Sequence, residues 1–385
     1  MTAYLLVLLI AALTTYLLTP FARWLALRTG AVTAVRSRDV HTIPTPRLGG
    51  AGMFLGIAAA FVFASQFSFL EQAFNADVGT CLPSGCNSAW SILIGAGIVC
   101  LLGIADDIWD LDWMTKLAGQ ILAAGFVAWQ GVQLISIPIA GLTIGSARMS
   151  LFITVFFIVL VMNAVNFVDG LDGLAAGIVA IGGLGFFVYA YLLTQQTSPG
   201  SYASVALAVL AAVVGACVGF LPHNFHPAKI FMGDSGSMLL GLMMASTSIL
   251  VTGQIDPSSV TLGMTIPAFA PLLLPAAVLV LPLLDMTMAV IRRLAAGKSP
   301  FAPDRLHIHH RLLGLGHSHL EAVIVMYMWS AVFAFGGVAL FVFQFRYVAL
   351  GGFIAILAMT TVTFWPVILR RLRRSEDVKE QSHAL

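Results

Sequence analysis

Long apolar segments run through almost the whole sequence, and they constrain its fold more than any other feature. A backbone that crosses lipid must satisfy its own hydrogen bonds, and about 20 apolar residues in a helix span the hydrocarbon core. Only 9% of the residues are charged, whereas soluble proteins carry about 25%. We therefore predict an all-α polytopic integral membrane protein with eleven transmembrane helices. Their predicted bounds are 3–27, 49–68, 89–105, 114–131, 149–165, 173–194, 202–221, 236–252, 263–291, 320–343 and 347–369.

The Lys and Arg residues predict the orientation of these helices, because positive charge is retained in cytoplasmic loops. Eleven spans place the termini on opposite sides, and one side then holds every Lys and Arg except Arg148 and Arg346. We therefore place the N-terminus outside and the C-terminus in the cytoplasm. The first span has no preceding Lys or Arg and is too long for a signal peptide, so we predict that it is retained.

The chain divides into one transmembrane domain, residues 1–370, and a short basic cytoplasmic tail, residues 371–385. We expect the tail either to contact anionic headgroups or to act as a simple stop-transfer anchor. On the outer face, alternating β-branched residues predict a small β-hairpin near 132–148. Cys81 and Cys86 lie in another outer loop, where a disulfide between them requires an oxidising compartment.

Acidic residues are concentrated in the second cytoplasmic loop, "ADDIWDLDWMTKL". Asp106 and Asp110 share a helix face if the third helix extends by one more turn, and Asp107 lies beside them. Carboxylates at this density repel each other unless a cation or Lys116 neutralises them. Mg²⁺ prefers oxygen ligands and usually shares them with phosphates. The pattern therefore indicates a metal or phosphate site, with a solvated acidic loop end as the alternative.

A second polar group follows the fifth predicted span, in "NAVNFVDGLDGLAAG". Asn163 and Asn166 lie three residues apart on the last helical turn, and Asp169 and Asp172 follow them. A capped helix end with a glycine turn would explain one Asn and one Gly, but not two further carboxylates. Amide and carboxylate oxygens together are typical of a hard-metal site.

Two other loops contribute candidates for phosphate and base recognition. Arg47 follows two prolines and precedes a Gly-Gly pair at a helix start, where backbone N–H groups suit a phosphate. A proline-stiffened turn is the alternative there. The motif "PAKIFMGDSGS" contains Lys229, Phe231 and Asp234. Asp234 is a candidate metal ligand or a helix N-cap, and Phe231 either stacks on a base or anchors the membrane interface.

The last cytoplasmic loop, "PDRLHIHHRL", combines imidazole and guanidinium groups, which bind phosphate oxygens. Its candidates are Arg305, His307, His309 and His310, with zinc binding or an ordinary basic loop as the alternatives. Interfacial charge is costly in a membrane protein and is usually functional. The five loops together therefore predict a Mg²⁺–diphosphate site at the cytoplasmic boundary, for one water-soluble substrate and one lipid phosphate.

These motifs, in this order over residues 39–313, resemble the polyprenyl-phosphate N-acetylhexosamine-1-phosphate transferases, a family that includes the MraY and WecA enzymes. Members transfer a sugar-1-phosphate from a UDP-sugar to a polyprenyl phosphate and release UMP, with Mg²⁺ as the cofactor. MraY-type enzymes carry three consecutive histidines in the last loop, whereas Ile308 interrupts them here. The resemblance is therefore closest to the WecA type. It implies UDP-N-acetylglucosamine and undecaprenyl phosphate as substrates and leaves other UDP-hexosamines open.

The resemblance also implies a role for each matching residue. Catalytic roles fall to Asp106, Asp107, Lys116, Asp169 and Asp172. Substrate-binding roles fall to Arg47, Asn163, Lys229, Phe231, Arg305, His307, His309 and His310. The implied metal ligands are Asn166 and Asp234, for Mg²⁺ with Mn²⁺ as a substitute. Direct attack by the lipid phosphate and a two-step route through an aspartyl-phosphate both remain open.

Two other functions compete with this interpretation. The string "DDIWD" also fits a Mg²⁺-dependent membrane prenyltransferase, although such enzymes need a second comparable acidic motif. A transporter of lipid-linked sugars or nucleotide sugars would place polar residues near the middle of the membrane. Here Asp285 is the main charged residue inside a span. We expect no nucleic-acid partner, and the sequence leaves open whether the protein forms a homodimer.

Overall fold

The computed structural model describes residues 1–33, 44–75, 88–134, 146–196, 202–252, 280–297 and 308–383. Every regular element among these residues is an α-helix, and an isolated bridge between Val32 and Pro46 is the β-type pairing that they contain. In chain order the helices are α1 (Thr2–Thr29), α2 (Gly49–Gln66), α3 (Ser68–Asn75), α4 (Ser88–Trp109), α5 (Trp113–Trp129), α6 (Ala147–Val168), α7 (Leu174–Gln196), α8 (Tyr202–Asn224), α9 (Gly233–Thr252), α10 (Val280–Ala295), α11 (Ile308–Leu315), α12 (His319–Val342) and α13 (Phe345–His383).

The helices confirm the prediction of an all-α, multi-pass membrane protein. Within the described part of the chain, nine helices are long and apolar enough to cross a membrane. The fourth predicted span corresponds to α5, which has 17 residues. The ninth, at 263–291, is described only from residue 280 onward, where α10 begins. The third predicted span ends at residue 105, whereas α4 continues to Trp109, because Asp106 and Asp107 find partners inside the bundle.

Helix α9 lies at the centre of the bundle and packs against α2, α4, α6 and α8. All of its residues from Ser235 to Thr252 are buried. After Asp234 it carries no charged side chain, only apolar, small and hydroxyl residues. A helix that is uncharged on every face belongs in the interior. The Thr247, Ser248 and Thr252 hydroxyls donate to main-chain carbonyls within α9, so their burial costs little.

Glycines allow neighbouring helices to approach the beginning of α9 closely. A Cβ atom at Gly103 of α4 would lie 2.3 Å from Ser235 Cα, and one at Gly50 of α2 would lie 2.2 Å from the Gly236 nitrogen. No side chain fits at these distances. The sequence thus brings α2 and α4 into main-chain contact with the turn of α9 that carries Asp234.

Several predictions concern residues outside the described ranges. They are the β-hairpin near 132–148, of which 135–145 are not described, and the pairing of Cys81 with Cys86. Cys100 and Cys217 are buried free thiols in α4 and α8. The main chain of the predicted tail continues α13 as a helix to His383.

Candidate active site

Four helix ends converge on one side of the bundle and carry the central group of polar side chains. Asp106 and Asp107 lie in the last turn of α4, and Lys116 lies in the first turns of α5. Asn166 lies in the last turn of α6, and Asp234 lies in the first turn of α9. The structure therefore brings together residues that the sequence separates by more than a hundred positions.

Asp107 holds the beginning of α9. Its Oδ1 accepts a hydrogen bond from the Asp234 backbone N–H (3.1 Å), and its Oδ2 accepts from the Ser235 backbone N–H (3.3 Å) and hydroxyl (3.0 Å). A helix leaves its first N–H groups without intrahelical partners, and an anion stabilises that positive end. Gly233 (φ 68°) leaves room, because a Cβ there would lie 2.3 Å from Asp107 Oδ2. Asp107 thus fixes where Asp234 lies.

Lys116 bridges two of the carboxylates. Its Nζ lies 2.8 Å from Asp106 Oδ2 and also forms a close ion pair with Asp234 Oδ2. Asp106 Oδ1 accepts from the Leu111 backbone N–H at 3.0 Å, which fixes the turn after α4. The N-cap of α5 is Asp112, whose carboxylate accepts from the Met114 and Thr115 N–H groups. The start of α5 is therefore held firmly, and Lys116 is held with it.

Asp110 does not lie on the face of α4 that carries Asp106. Helix α4 ends at Trp109, and Asp110 has a left-handed backbone (φ 54°). The condition under which Asp106 and Asp110 would share a helix face is therefore not met.

Asn166 completes the group from the opposite side. Its Nδ2 donates to Asp234 Oδ1 (3.0 Å) and to Ser237 Oγ (2.8 Å). Asp234 therefore has a cation on one oxygen and an amide on the other. Both partners are residues that the sequence motifs had singled out.

Asp169 lies immediately after α6 and adds a further carboxylate. Burial, followed by the negative charges of Asp234 and Asp107, raises the pKa of Asp169 to about 8, although the Arg47 guanidinium lowers it. Negative charge in this cluster thus exceeds what Lys116 and Arg47 neutralise. Hard divalent cations bind carboxylate and amide oxygens, so the donor set and its uncompensated charge fit Mg²⁺.

Main-chain hydrogen bonds connect the loop before α2 to the loop before α9. The Phe231 N–H donates to Pro46 O (2.8 Å), and the Gly49 N–H donates to Phe231 O (3.0 Å). Arg47 Nε donates to Thr33 Oγ1 (2.8 Å). Phe231 is half-buried, and Lys229 is exposed two residues earlier. Arg47 and Phe231 therefore lie on one continuous rim beside the carboxylate cluster.

Asp172 lies in a different group from the other predicted catalytic residues. Its Oδ2 lies 2.7 Å from His226 Nδ1 and accepts from the Ala228 N–H at 3.1 Å. Its backbone N–H donates to His319 Nε2 at 3.1 Å. The two imidazole rings stack with centroids 4.4 Å apart. These residue types also ligate metals, and one ligand atom from each lies within 4.8 Å of the others.

Other predicted residues have contacts of different kinds. Asn163 Nδ2 donates to Gln120 Oε1 (2.7 Å) and to the Val159 carbonyl (2.8 Å), so that its amide nitrogen joins α6 to α5. His310 lies in α11 and is half-buried. Arg305, His307 and the side chain of His309 lie outside the described residues.

Sequence reasoning missed Gln120, His226, His319 and Ser235. His226 directly precedes the motif "PAKIFMGDSGS", and both it and His319 contact Asp172 because the end of α8 and the beginning of α12 lie beside the beginning of α7. Ser235 follows the metal-ligand candidate directly, and only its hydrogen bond to Asp107 reveals its role. The sequence pattern that could have indicated this role is an aspartate followed by hydroxyl and glycine residues at the start of a helix.

A family model and several relatives match this chain. The model described as glycosyl transferase family 4 matches residues 89–252. The chain is 42% identical over 365 residues to the decaprenyl-phosphate N-acetylglucosaminephosphotransferase of Mycolicibacterium smegmatis, covering 94% of this chain and 87% of that protein.

Two further relatives come from other bacteria. The probable undecaprenyl-phosphate N-acetylglucosaminyl 1-phosphate transferase of Bacillus subtilis is 33% identical over 333 residues, covering 86% of this chain and 83% of that protein. The phospho-N-acetylmuramoyl-pentapeptide-transferase of Desulforudis audaxviator is 30% identical over 323 residues, covering 76% and 83%. In each comparison the similarity covers at least 76% of this chain and at least 83% of the relative.

Proposed function

The chain belongs to glycosyl transferase family 4 and is a phosphoglycosyltransferase, and from that premise we propose its substrates, products and residue roles. The donor is UDP-N-acetylglucosamine, and the acceptor is a polyprenyl phosphate of the undecaprenyl or decaprenyl class. The products are the lipid-diphosphate-sugar and UMP. The reaction is the first membrane step of cell-envelope polysaccharide synthesis. The names of the relatives in Mycolicibacterium smegmatis and Bacillus subtilis support the sugar and the lipid class.

The observation that carries this proposal is the convergence on Asp234. Lys116 contacts one of its oxygens, Asn166 contacts the other, and Asp107 fixes the helix end that bears it. Phosphoryl transfer needs charge neutralisation and in-line placement more than a covalent helper. The cluster provides both, because its charged groups are held by hydrogen bonds before any substrate arrives.

In the proposed reaction an oxygen of the lipid phosphate attacks the β-phosphorus of the UDP-sugar. A new P–O bond forms there, the bond from the β-phosphorus to the oxygen that bridges the two phosphates breaks, and UMP leaves with that oxygen. Lys116 orients the incoming lipid phosphate, and Phe231 stacks on the uracil at the rim. A phosphate monoester has its second pKa near 6, so the acceptor is largely dianionic at neutral pH and requires no strong base.

The contacts of Asp107 favour direct attack over an aspartyl-phosphate route. Both of its oxygens accept hydrogen bonds from the beginning of α9. A carboxylate that attacks phosphorus would have to give up at least one of these bonds and release the helix end. We therefore assign Asp107 to positioning Asp234, and Asp106 to holding Lys116.

Asp234 and Asn166 would hold Mg²⁺, with Asp106 adding negative charge close by and Asp169 adding more once its proton is displaced by the cation. The cation, when bound, offsets the charge of the diphosphate. The protein's own contribution is to place these oxygens in advance. Asn166 keeps Asp234 Oδ1 oriented, and Lys116 limits the repulsion between Asp106 and Asp234.

We place this site on the cytoplasmic face of the bacterial inner membrane. The distribution of Lys and Arg supports that side, because the loops that bear the site also bear nearly all the positive charge. UDP-sugars are made in the cytosol in this proposal, and the lipid phosphate enters from the inner leaflet between helices.

The direct test is transfer by purified protein with Mg²⁺, polyprenyl phosphate and a panel of UDP-sugars labelled in the sugar, the β-phosphorus or the uridine. The proposal predicts that the sugar and the β-phosphorus move together into the lipid fraction while uridine remains in water as UMP. Release of UDP, uptake of unchanged UDP-sugar into proteoliposomes, or labelling from a prenyl diphosphate instead would contradict it.

A further inference from the structure

Helix α11, residues Ile308–Leu315, is the short helix that carries part of the histidine motif. Eight residues are too few for a helix to be stable by itself in water, because nucleation is costly and few hydrogen bonds follow. Its position must therefore come from contacts with the rest of the protein. The structure shows a side chain from another helix at each of its ends.

At the N-terminal end the contact comes from Asp285. This residue lies in α10 and is completely buried. Its Oδ1 accepts a hydrogen bond from the Ile308 backbone N–H at 2.8 Å. That N–H is one of the groups that a helix leaves without an intrahelical partner, and a carboxylate is favourable at this end of the helix dipole. Burying a carboxylate inside an apolar helix is costly, and this hydrogen bond offsets part of that cost.

At the C-terminal end the contact comes from Arg370, in α13. Its Nη2 donates to the Leu315 carbonyl at 2.8 Å. The guanidinium packs over Gly316, where a Cβ would lie 1.6 Å from Nη2. The neighbouring His317 is buried, and its Nε2 lies 2.8 Å from the Thr363 carbonyl of the same helix α13. A cation at this end complements the dipole, as the carboxylate does at the other.

Helix α10 also contacts the central site. Arg293, two turns after Asp285, places its guanidinium carbon 5.5 Å from the centroid of the Phe167 ring. Phe167 is the residue after Asn166, in the last turn of α6. One helix therefore contacts both the end of α6, which contributes to the carboxylate cluster, and the beginning of α11, which contributes His310.

We propose that Asp285 and Arg370 are positioning residues that set α11, and with it the histidine motif, against the donor diphosphate. This inference rests on the proposed function for the part that concerns the donor. Asp285 acts on the N-terminal end, where the histidines are, and Arg370 acts on the opposite end. Asp285 is the stronger of the two, because Arg370 is exposed and its charge is screened by water.

The first test measures the docking of α11 without reference to activity. Hydrogen exchange of residues 308–315 should become faster in Asp285→Ala, and to a smaller extent in Arg370→Ala. Met286→Ala is the matched control, because Met286 is buried beside Asp285 in the same helix. It should lower thermal stability without selectively speeding exchange in α11. Unchanged exchange in Asp285→Ala, or an equal increase in Met286→Ala, would overturn the proposal.

The second test measures its consequence for the donor. Loss of a charged hydrogen bond corresponds to about a tenfold or larger effect. Asp285→Ala should therefore raise the KM for the UDP-sugar about tenfold and leave the KM for the polyprenyl phosphate within about twofold. Asp285→Asn, which keeps an oxygen acceptor, should fall between Asp285→Ala and the wild type. The double variant Asp285→Ala with His310→Ala should be no worse than His310→Ala alone.

These outcomes separate the positioning claim from the proposed function. If the wild type does not release UMP from any UDP-sugar, the proposed function fails, while the exchange experiment still decides whether Asp285 holds α11. If transfer occurs but Asp285→Ala affects donor and acceptor equally, or its effect simply adds to that of His310→Ala, the positioning claim is wrong.

Discussion

Asp169 lies just outside a membrane span and has unusual electrostatic surroundings for an aspartate. Burial and the carboxylates of Asp234 and Asp107 raise its pKa to about 8, well above the 3.8 of an unperturbed aspartate. In the unfolded chain it therefore loses its proton near pH 4, while in the folded, metal-free protein it keeps the proton to about pH 8. Stability is consequently highest below pH 4 with respect to this group and is lost as the pH rises toward 8.

A substitution at Asp169 tests this pH dependence. Asp169→Asn removes the titrating group, so in metal-free protein it should raise the melting temperature relative to the wild type at pH 8 and lose that advantage toward pH 4. Differential scanning fluorimetry in detergent across this range measures the difference. A pH-independent difference, or one that grows as the pH falls, would show that the pKa is not raised.

Phe231 is the residue whose proposed contact is the simplest to isolate. It is half-buried on the rim of the cluster, with its main chain paired to Pro46 and Gly49. Stacking of a base on an aromatic ring contributes about 1–3 kcal/mol. Phe231→Ala should therefore raise the KM for the UDP-sugar about fivefold or more, with little change in the KM for the lipid. Phe231→Tyr should stay close to the wild type, and equal effects on both substrates would argue against stacking.

At this scale the sequence predicted the residue types better than their contacts. Asp106, Lys116, Asn166 and Asp234 were all singled out and do come together. Asp172 follows them in the motif, and its carboxylate contacts His226 while its charge also raises the pKa of Asp169. The spacing of residues at one helix end indicates which of their side chains lie near one another. It does not reveal which other helix end lies beside them.

The contact between α4 and α9 is the packing interaction on which the cluster most depends. Gly103 lets the main chain of α9 approach so closely that a Cβ would lie 2.3 Å from Ser235 Cα. Forcing extra volume into a close-packed core costs about 1–3 kcal/mol. The same shift would move Asp107 away from the N–H groups of Asp234 and Ser235, so the site should lose its shape along with part of its stability.

Gly103→Ala should accordingly lower the melting temperature and abolish most of the transfer activity. Gly125→Ala in α5 is the matched control, because a Cβ at Gly125 meets nothing within 4 Å. It should leave activity unchanged and, if anything, stabilise the helix. Retained activity in Gly103→Ala would mean that α4 and α9 can separate without disturbing the cluster.

The predicted spans that lie within the described residues correspond to helices, and their ends were the least accurate part. The third span was ended at residue 105 because charge appeared there, whereas α4 carries Asp106 and Asp107 inside its last turn. The short helices α3 and α11 were not predicted. A polar residue can remain inside a membrane helix when another part of the chain supplies a hydrogen-bond or ionic partner. The local sequence does not show whether such a partner exists. Asp285 is a second example, because the hydrogen bond that it accepts comes from Ile308 in α11.

For the whole molecule, the alternation of helices across the membrane is what assembles the site. Successive helices run in opposite directions, so the ends of α4, α6 and α8 meet the beginnings of α5, α7 and α9 on one side. The lack of charge in α9 after Asp234 keeps that helix in the centre. Its neighbours α4 and α6 can therefore deliver Asp107 and Asn166 to the beginning of α9. Apolar length was sufficient to predict the multi-pass helical fold, and the side of the membrane on which the site lies stays a prediction from the Lys and Arg distribution.

The most direct measurement of the central claim is binding of Mn²⁺, as a substitute for Mg²⁺, to purified protein followed by the electron paramagnetic resonance signal of the free ion. With UDP-sugar present, we predict one bound ion whose affinity falls by at least about tenfold in Asp234→Asn. Asp172→Asn should bind the ion like the wild type, since Asp172 lies with His226 and His319. Unchanged binding in Asp234→Asn, or loss of the ion in Asp172→Asn instead, would contradict a metal site at the beginning of α9.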